Sequence, residues 1–77
     1  MSTFDQVKKI VKEQLGVEED EIQMSSTFVD DLGADSLDIL QLLLAVEDEY
    51  GITIPDEAAN DLVTVGKIVE YLEKVIG

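Results

Sequence analysis

The chain contains 77 residues, of which 18 are acidic and 5 basic, so its formal net charge at pH 7 is −13. It has neither cysteine nor histidine, which excludes disulfides, thiolate metal sites and a serine–histidine nucleophile pair. The negative charge also disfavours nucleic acid and anionic membranes as partners and favours basic protein surfaces.

The length indicates one small domain spanning residues 1–77. Hydrophobic residues make up 45% of the chain and recur at helical spacing, which argues against disorder. No apolar run reaches the roughly 20 residues of a membrane span, and no basic segment precedes an apolar stretch at the N-terminus. We therefore expect a cytoplasmic protein, with a processed organellar protein as the alternative. A need for solubility is an alternative explanation of the strong negative charge.

The first predicted helix runs from about Thr3 to Leu15. Thr3 and Gln6 have the spacing of a capping box, and Gly16 is a suitable C-terminal stop. A long connection at residues 17–35 follows, and it has room for a short helical turn. The apolar residues of the helix share one face: Phe4, Val7, Ile10, Val11 and Leu15.

The second predicted helix runs from about Ser36 to Tyr50, and Gly51 ends it. Pro55 is expected to start a short helix that ends near Asp61. Thr64 is expected to cap the last helix, at residues 65–76. This pattern predicts an all-α fold, a small four-helix bundle of three main helices and one short helix, with a long loop between helices 1 and 2. The apolar set of the last helix is Val65, Ile68, Val69, Leu72, Val75 and Ile76.

The second helix contains more leucines than one core-facing stripe needs. At about 100° per residue, the stripe consists of Ile39, Leu42, Leu43, Val46 and Tyr50. Leu37, Leu40 and Leu44 fall outside it, among acidic residues. Either the bundle buries this helix on two sides, which applies best to Leu40, or these leucines form a docking surface for another protein.

Ser36 begins this helix, close to Asp35 and Asp38. A serine in the first turn of a helix is usually a cap. Because the chain has no histidine or cysteine, Ser36 is better interpreted as the acceptor of a modification than as a nucleophilic catalyst. The N-terminus of a helix stabilises a nearby phosphate, whereas the carboxylates of Asp35 and Asp38 repel one. If Ser36 receives a phosphate group, the modifying enzyme must therefore supply cations to offset this repulsion.

Three segments carry a resemblance to a known family: DDLGADSLD at residues 30–38, IPDE at residues 54–57 and TVG at residues 64–66. Because these segments occur in the same order and spacing, the chain resembles the acyl carrier proteins over essentially its whole length. The resemblance implies a four-helix bundle that is not an enzyme. It implies that a holo-synthase, using coenzyme A and Mg²⁺, attaches 4′-phosphopantetheine to Ser36 through a phosphodiester. The thiol of that arm then holds the growing acyl chain for fatty acid synthesis.

The resemblance also implies roles for further residues and partners. The partners are the holo-synthase and the fatty acid synthesis enzymes, which bind a monomeric carrier through basic patches. The residues expected to contact them are Asp35, Leu37, Asp38, Leu44, Glu47, Asp48 and Asp56. The candidates for lining an acyl pocket are Leu42, Leu43, Val46, Ile54, Ala59, Ile68 and Leu72, each of which also suits an ordinary core. Gln41 and Asn60 replace common acids, and Leu44 replaces a common methionine.

Alternative functions are a carrier for polyketide, aminoacyl or D-alanyl units, a binder of divalent cations, and an enzyme. Asp30, Asp31, Asp35 and Asp38 are close in sequence but do not follow the EF-hand pattern, so no dedicated metal site is expected. Carboxylate pairs suited to acid–base catalysis exist, yet no oxyanion motif or phosphate-cradling loop accompanies them.

We predict that millimolar Ca²⁺ or Mg²⁺ raises the melting temperature, because cations relieve repulsion among the carboxylates of a chain with net charge −13. Thermal unfolding followed by circular dichroism measures the effect, with a sodium salt at matched ionic strength as the control. An unchanged melting curve contradicts the prediction.

Overall fold

A computed structural model describes residues 2–76, and over these residues the chain forms four α-helices. They are α1 (Thr3–Leu15), α2 (Ser36–Tyr50), α3 (Asp56–Ala59) and α4 (Val65–Ile76). Helix α1 packs against both α2 and α4. The predicted all-α bundle with a long connection between the first two helices is confirmed. Within the same residues, no helix has the length and apolar character needed to cross a membrane.

Helix α1 begins and ends at specific backbone-capping residues. The Oγ of Ser2 accepts a hydrogen bond from the Asp5 N–H at 3.1 Å, so the predicted capping box of Thr3 and Gln6 is wrong by one residue. Hydrogen bonds from Ser2 also lower the pKa of the Asp5 carboxyl below its ordinary value. Gly16 ends the helix as predicted, with φ of 70°.

The connection between α1 and α2 is fixed to the start of α4. It contains a 3₁₀ turn at Glu19–Glu21, which matches the predicted short helical turn. Farther along, the ring of Phe28 is 1% exposed and therefore lies in the core. Three backbone hydrogen bonds join this part of the connection to α4 and the residues before it: Gly66 N–H to Met24 O at 2.8 Å, Val65 N–H to Ser26 O at 3.0 Å, and Phe28 N–H to Val63 O at 3.2 Å.

Helix α3 is shorter than predicted, and α4 has the predicted bounds but a shorter buried face. Helix α3 comprises Asp56–Ala59 only, with Pro55 directly before it, whereas the prediction reached Asp61. In α4, Val75 and Ile76 were expected on the apolar face, but they are 49% and 53% exposed. The buried part of α4 consists of Val65, Gly66, Ile68, Val69 and Leu72. Thr64 caps this helix as predicted, since its Oγ1 accepts the Lys67 N–H at 3.1 Å.

The end of α2 is held to α1 and to the following turn. The Tyr50 hydroxyl donates to Gln6 Oε1 at 2.8 Å, and partial burial raises the pKa of this phenol, with a smaller contribution from the charge of Glu49. Gly51 ends the helix with φ of 65°. Its N–H and that of Ile52 both donate to the carbonyl oxygen of Glu47, which satisfies that otherwise unpaired helix-end carbonyl.

We predict that Gly51→Ala lowers the free energy of unfolding by about 1–2 kcal/mol, because a β-carbon disfavours the left-handed conformation. No atom of the surrounding structure lies within 4 Å of a β-carbon placed there, so the loss reflects backbone conformation and not a clash. Gly51→Asn serves as the control and should lose less, since asparagine tolerates this conformation. Urea denaturation measures both variants, and equal stability of Gly51→Ala and the unchanged chain would refute the prediction.

Candidate functional site

Ser36 is the first residue of α2 and is exposed, but it is not the cap of that helix. Asp35 is the cap: its Oδ1 accepts the Asp38 N–H at 2.9 Å. In return, Asp38 Oδ2 accepts the Asp35 N–H at 3.2 Å, which completes a capping box. Within residues 2–76 the Ser36 hydroxyl forms no hydrogen bond, so it is available for another reaction.

The segment before Ser36 is connected to the core by a buried residue and by hydrogen bonds. Ala34 is buried, and its N–H donates to the carbonyl oxygen of Phe28 at 2.8 Å. One turn earlier, Asp31 Oδ2 accepts hydrogen bonds from the N–H and the hydroxyl of Thr27, at 2.8 and 3.1 Å. Sequence reasoning missed this use of Asp31, although a Thr-x-x-x-Asp spacing in a polar connection is a recognisable turn signal.

The outer face of α2 displays leucines to solvent. Leu37, Leu40 and Leu44 are 59%, 55% and 54% exposed. On the opposite side of the helix, Leu42, Leu43 and Val46 are buried. The interpretation in which the extra leucines are core residues is therefore wrong, including for Leu40. Exposed leucines at neighbouring positions of one helix form an apolar strip that is uncommon on an isolated surface.

The predicted recognition residues fall into two groups. The first group is exposed: Asp35, Leu37, Leu44, Asp48 and Asp56. The second group is half-buried and consists of Asp38 and Glu47, whose carboxylates accept backbone hydrogen bonds from Asp35 and Ile54. The carboxylates of the second group therefore also determine local backbone structure.

An apolar groove of about 510 Å³ opens between the connection, α2 and α3. Of the predicted acyl-pocket residues, only Ala59 lines it. The other six are buried in the continuous core: Leu42, Leu43, Val46, Ile54, Ile68 and Leu72. The remaining lining residues were missed, and they are Thr27, Phe28, Val29, Asp30, Ile39, Asn60, Leu62 and Val63. A smaller depression of about 220 Å³ lies elsewhere, along α1, and is lined mostly by polar and charged side chains.

The acidic residues around Ser36 do not gather into a cation site. Over residues 2–76, no group of three or more aspartates or glutamates is arranged to hold a metal ion. Asp31 binds Thr27, and Asp35 and Asp38 bind each other's backbone N–H groups. These carboxylates therefore stabilise the turn and the helix start.

Comparisons with known proteins agree with this geometry. Residues 5–72 match the model of a family described as "Phosphopantetheine attachment site". The chain is also similar to proteins named "Acyl carrier protein" in three strains of Clostridium perfringens. Each is 56% identical to it over 69 residues, an alignment that covers 90% of this chain and 91% of the relative.

Proposed function

The chain belongs to the acyl carrier proteins, which carry acyl chains in fatty acid synthesis on 4′-phosphopantetheine and are not enzymes, and we propose that Ser36 is the residue to which this group is attached. One observation carries the proposal. Ser36 presents an exposed hydroxyl without an internal partner at the start of a helix that other residues cap. Such a hydroxyl fits a phosphodiester, because forming the bond breaks no existing interaction.

The chain's own groups explain both what Ser36 does and what it needs from a partner. Ser36 would supply the oxygen of the phosphodiester, while the pyrophosphate bond of coenzyme A breaks and adenosine 3′,5′-bisphosphate leaves. The hydroxyl proton would pass to a base of the transferase, because the chain has no histidine or cysteine. Backbone N–H groups in the first turn of α2 face a bound phosphate favourably, whereas Asp35 and Asp38 repel it. When bound, the group supplies the thiol that holds the acyl chain as a thioester.

The proposed docking surface for the holo-synthase and the fatty acid synthesis enzymes is the outer face of α2, together with Asp35 before it and Asp56 in α3. The residues proposed to contact partners are Asp35, Leu37, Asp38, Leu44, Glu47, Asp48 and Asp56. The net charge of −13 favours basic patches on those enzymes. Leu37 and Leu44 supply apolar contact, and burial of one such side chain contributes about 1.5–3 kcal/mol before the costs of association. Gln41 and Asn60 have no charge and are assigned no salt bridge.

The apolar groove is the proposed entrance for an acyl chain. It lies beside α2, and Ala59 belongs to both the groove and the predicted pocket. Beyond the groove, Leu42, Val46 and Ile68 are completely buried. A chain that reaches them must therefore separate the helices at the groove. The monomeric state and the cytoplasmic location remain predictions.

We predict that incubation with coenzyme A, Mg²⁺ and a promiscuous phosphopantetheinyl transferase adds one phosphopantetheine to the protein, measured by intact mass spectrometry. Ser36→Ala should remain unmodified while keeping its melting temperature, because Asp35 caps the helix. Ser25→Ala, which alters another exposed serine, is the matched control and should be modified fully. Folded protein without an adduct, or an adduct on Ser36→Ala, would refute the assignment.

We predict that Leu37→Ala and Leu44→Ala each reduce kcat/KM of the transferase about tenfold, as expected for the loss of roughly 1.4 kcal/mol of contact. Both positions are more than half exposed, so the free energy of unfolding should change by less than about 0.5 kcal/mol. Leu42→Ala, at a fully buried position of the same helix, is the control and should lose about 2–5 kcal/mol. If Leu37→Ala or Leu44→Ala unfolds the protein by several kcal/mol, these leucines support the core instead.

A further inference from the structure

The Glu47 side chain is half-buried near the end of α2 and reaches the segment at residues 51–55, which leads to α3. Its Oε2 accepts a hydrogen bond from the Ile54 N–H, seven residues later. Ile54 is buried, with 8% of its surface exposed. A hydrogen bond to a charged acceptor stabilises more than a neutral one, so this contact is a strong local connection between α2 and the segment.

The segment has little else to hold it to α2. Gly51 and Ile52 donate to the backbone carbonyl of Glu47. After Ile52, and within residues 2–76, the Glu47–Ile54 bond is the hydrogen bond that joins the segment to α2. Pro55 has no N–H to donate. The position of Ile54 therefore depends on its own burial and on the Glu47 carboxylate.

Helix α3 depends on this segment in turn. It has four residues and makes few contacts with the three long helices. Two buried side chains flank it, Ile54 on one side and Leu62 on the other. A helix of this length has no independent stability, so the flanking segments set its position.

The same helix forms one wall of the apolar groove. Ala59 and Asn60 line the groove at the end of α3, facing Ile39 of α2 and the connection. The wall is connected to Ile54 through Pro55, the next residue, because Ala58 and Ala59 both donate to the carbonyl oxygen of Pro55. The Glu47 carboxylate is thus connected to the wall of the groove through Ile54 and Pro55.

We propose that Glu47 is a positioning residue whose hydrogen bond to Ile54 holds α3 in place and limits how far the groove opens around an acyl chain. The second half of this inference rests on the proposed function of the groove, and the first half does not. Glu47 thereby differs from Asp48 and Glu49, whose exposed carboxylates form no such bond within the described residues.

The first measurement is amide hydrogen exchange of the unmodified protein by NMR, with Leu72 of α4 as the internal reference. Glu47→Ala should speed the exchange of Ile54, Ala58 and Ala59 about tenfold relative to Leu72. Glu47→Gln keeps a carbonyl acceptor and should change it by less than about threefold. Glu49→Ala removes the same charge from an exposed neighbour and should change nothing.

Three results would overturn the positioning role. The first is an unchanged exchange rate of the Ile54 amide in Glu47→Ala. The second is an exchange rate that rises as much in Glu47→Gln and Glu49→Ala as in Glu47→Ala. The third is an exchange rate of Leu72 that rises in parallel with that of Ile54. The last result would show that the bond supports the whole fold and not this segment. Because no cofactor is present in these samples, this measurement stands whether or not Ser36 is modified.

The second measurement is the rate at which hydroxylamine cleaves the thioester of protein loaded with an octanoyl-phosphopantetheine group. Glu47→Ala should be cleaved several-fold faster than the unchanged protein, and Glu47→Gln and Glu49→Ala at nearly its rate. If the thioesters of Glu47→Ala and the unchanged protein are cleaved at the same rate although the Ile54 amide exchanges faster, Glu47 does not limit the opening of the groove. Failure of the unchanged protein to load at Ser36 instead refutes the proposed function, and leaves the exchange result to decide the positioning role.

Discussion

The buried residue Phe28 connects the long connection, the turn before Ser36 and the apolar groove. Its ring is 1% exposed, its N–H donates to Val63, and its carbonyl oxygen accepts the Ala34 N–H. One residue therefore ties the long connection to the start of α4 and also fixes the turn that leads to Ser36. Phe28 lines the apolar groove as well. The backbone and the ring of one residue therefore contribute both to the position of Ser36 and to one side of the groove.

Several carboxylates near Ser36 have two effects at once. The carboxylates of Asp35 and Asp38 accept hydrogen bonds from two N–H groups at the start of α2, those of Asp38 and Asp35. Their negative charge also interacts favourably with the positive N-terminal end of the helix. They also keep negative charge beside Ser36, which disfavours phosphate there unless a partner brings cations. The proposed modification of Ser36 therefore requires an enzyme for electrostatic reasons as well as for lack of a histidine or cysteine. Because these aspartates stabilise the helix start and belong to the proposed docking surface, replacing either one is expected to alter both folding and the proposed recognition.

Much of the architecture was predictable because helical periodicity, glycine stops and caps are local properties. The bounds of α1 and α2, the stops at Gly16 and Gly51 and the cap at Thr64 follow from a few neighbouring residues. The first cap was missed because Ser2–Asp5 and Thr3–Gln6 are both plausible pairs at the same spacing. The exposure of Leu40 depends on how many sides of α2 are covered, which is a tertiary property. The groove was missed for the same reason, since residues 27–30 and 59–63 meet only in the folded chain.

The outer face of α2 places leucines of more than half exposure among carboxylates, and the two kinds of side chain affect different stages of an encounter. Long-range attraction between opposite charges sets the association rate and weakens as salt shortens the screening length. Short-range apolar contact sets the dissociation rate. A carrier that visits successive enzymes needs fast arrival and also fast departure. On the proposed docking surface, the carboxylates of α2 favour fast arrival and the small apolar area of the three leucines permits fast departure. Residence time and arrival rate can therefore change independently.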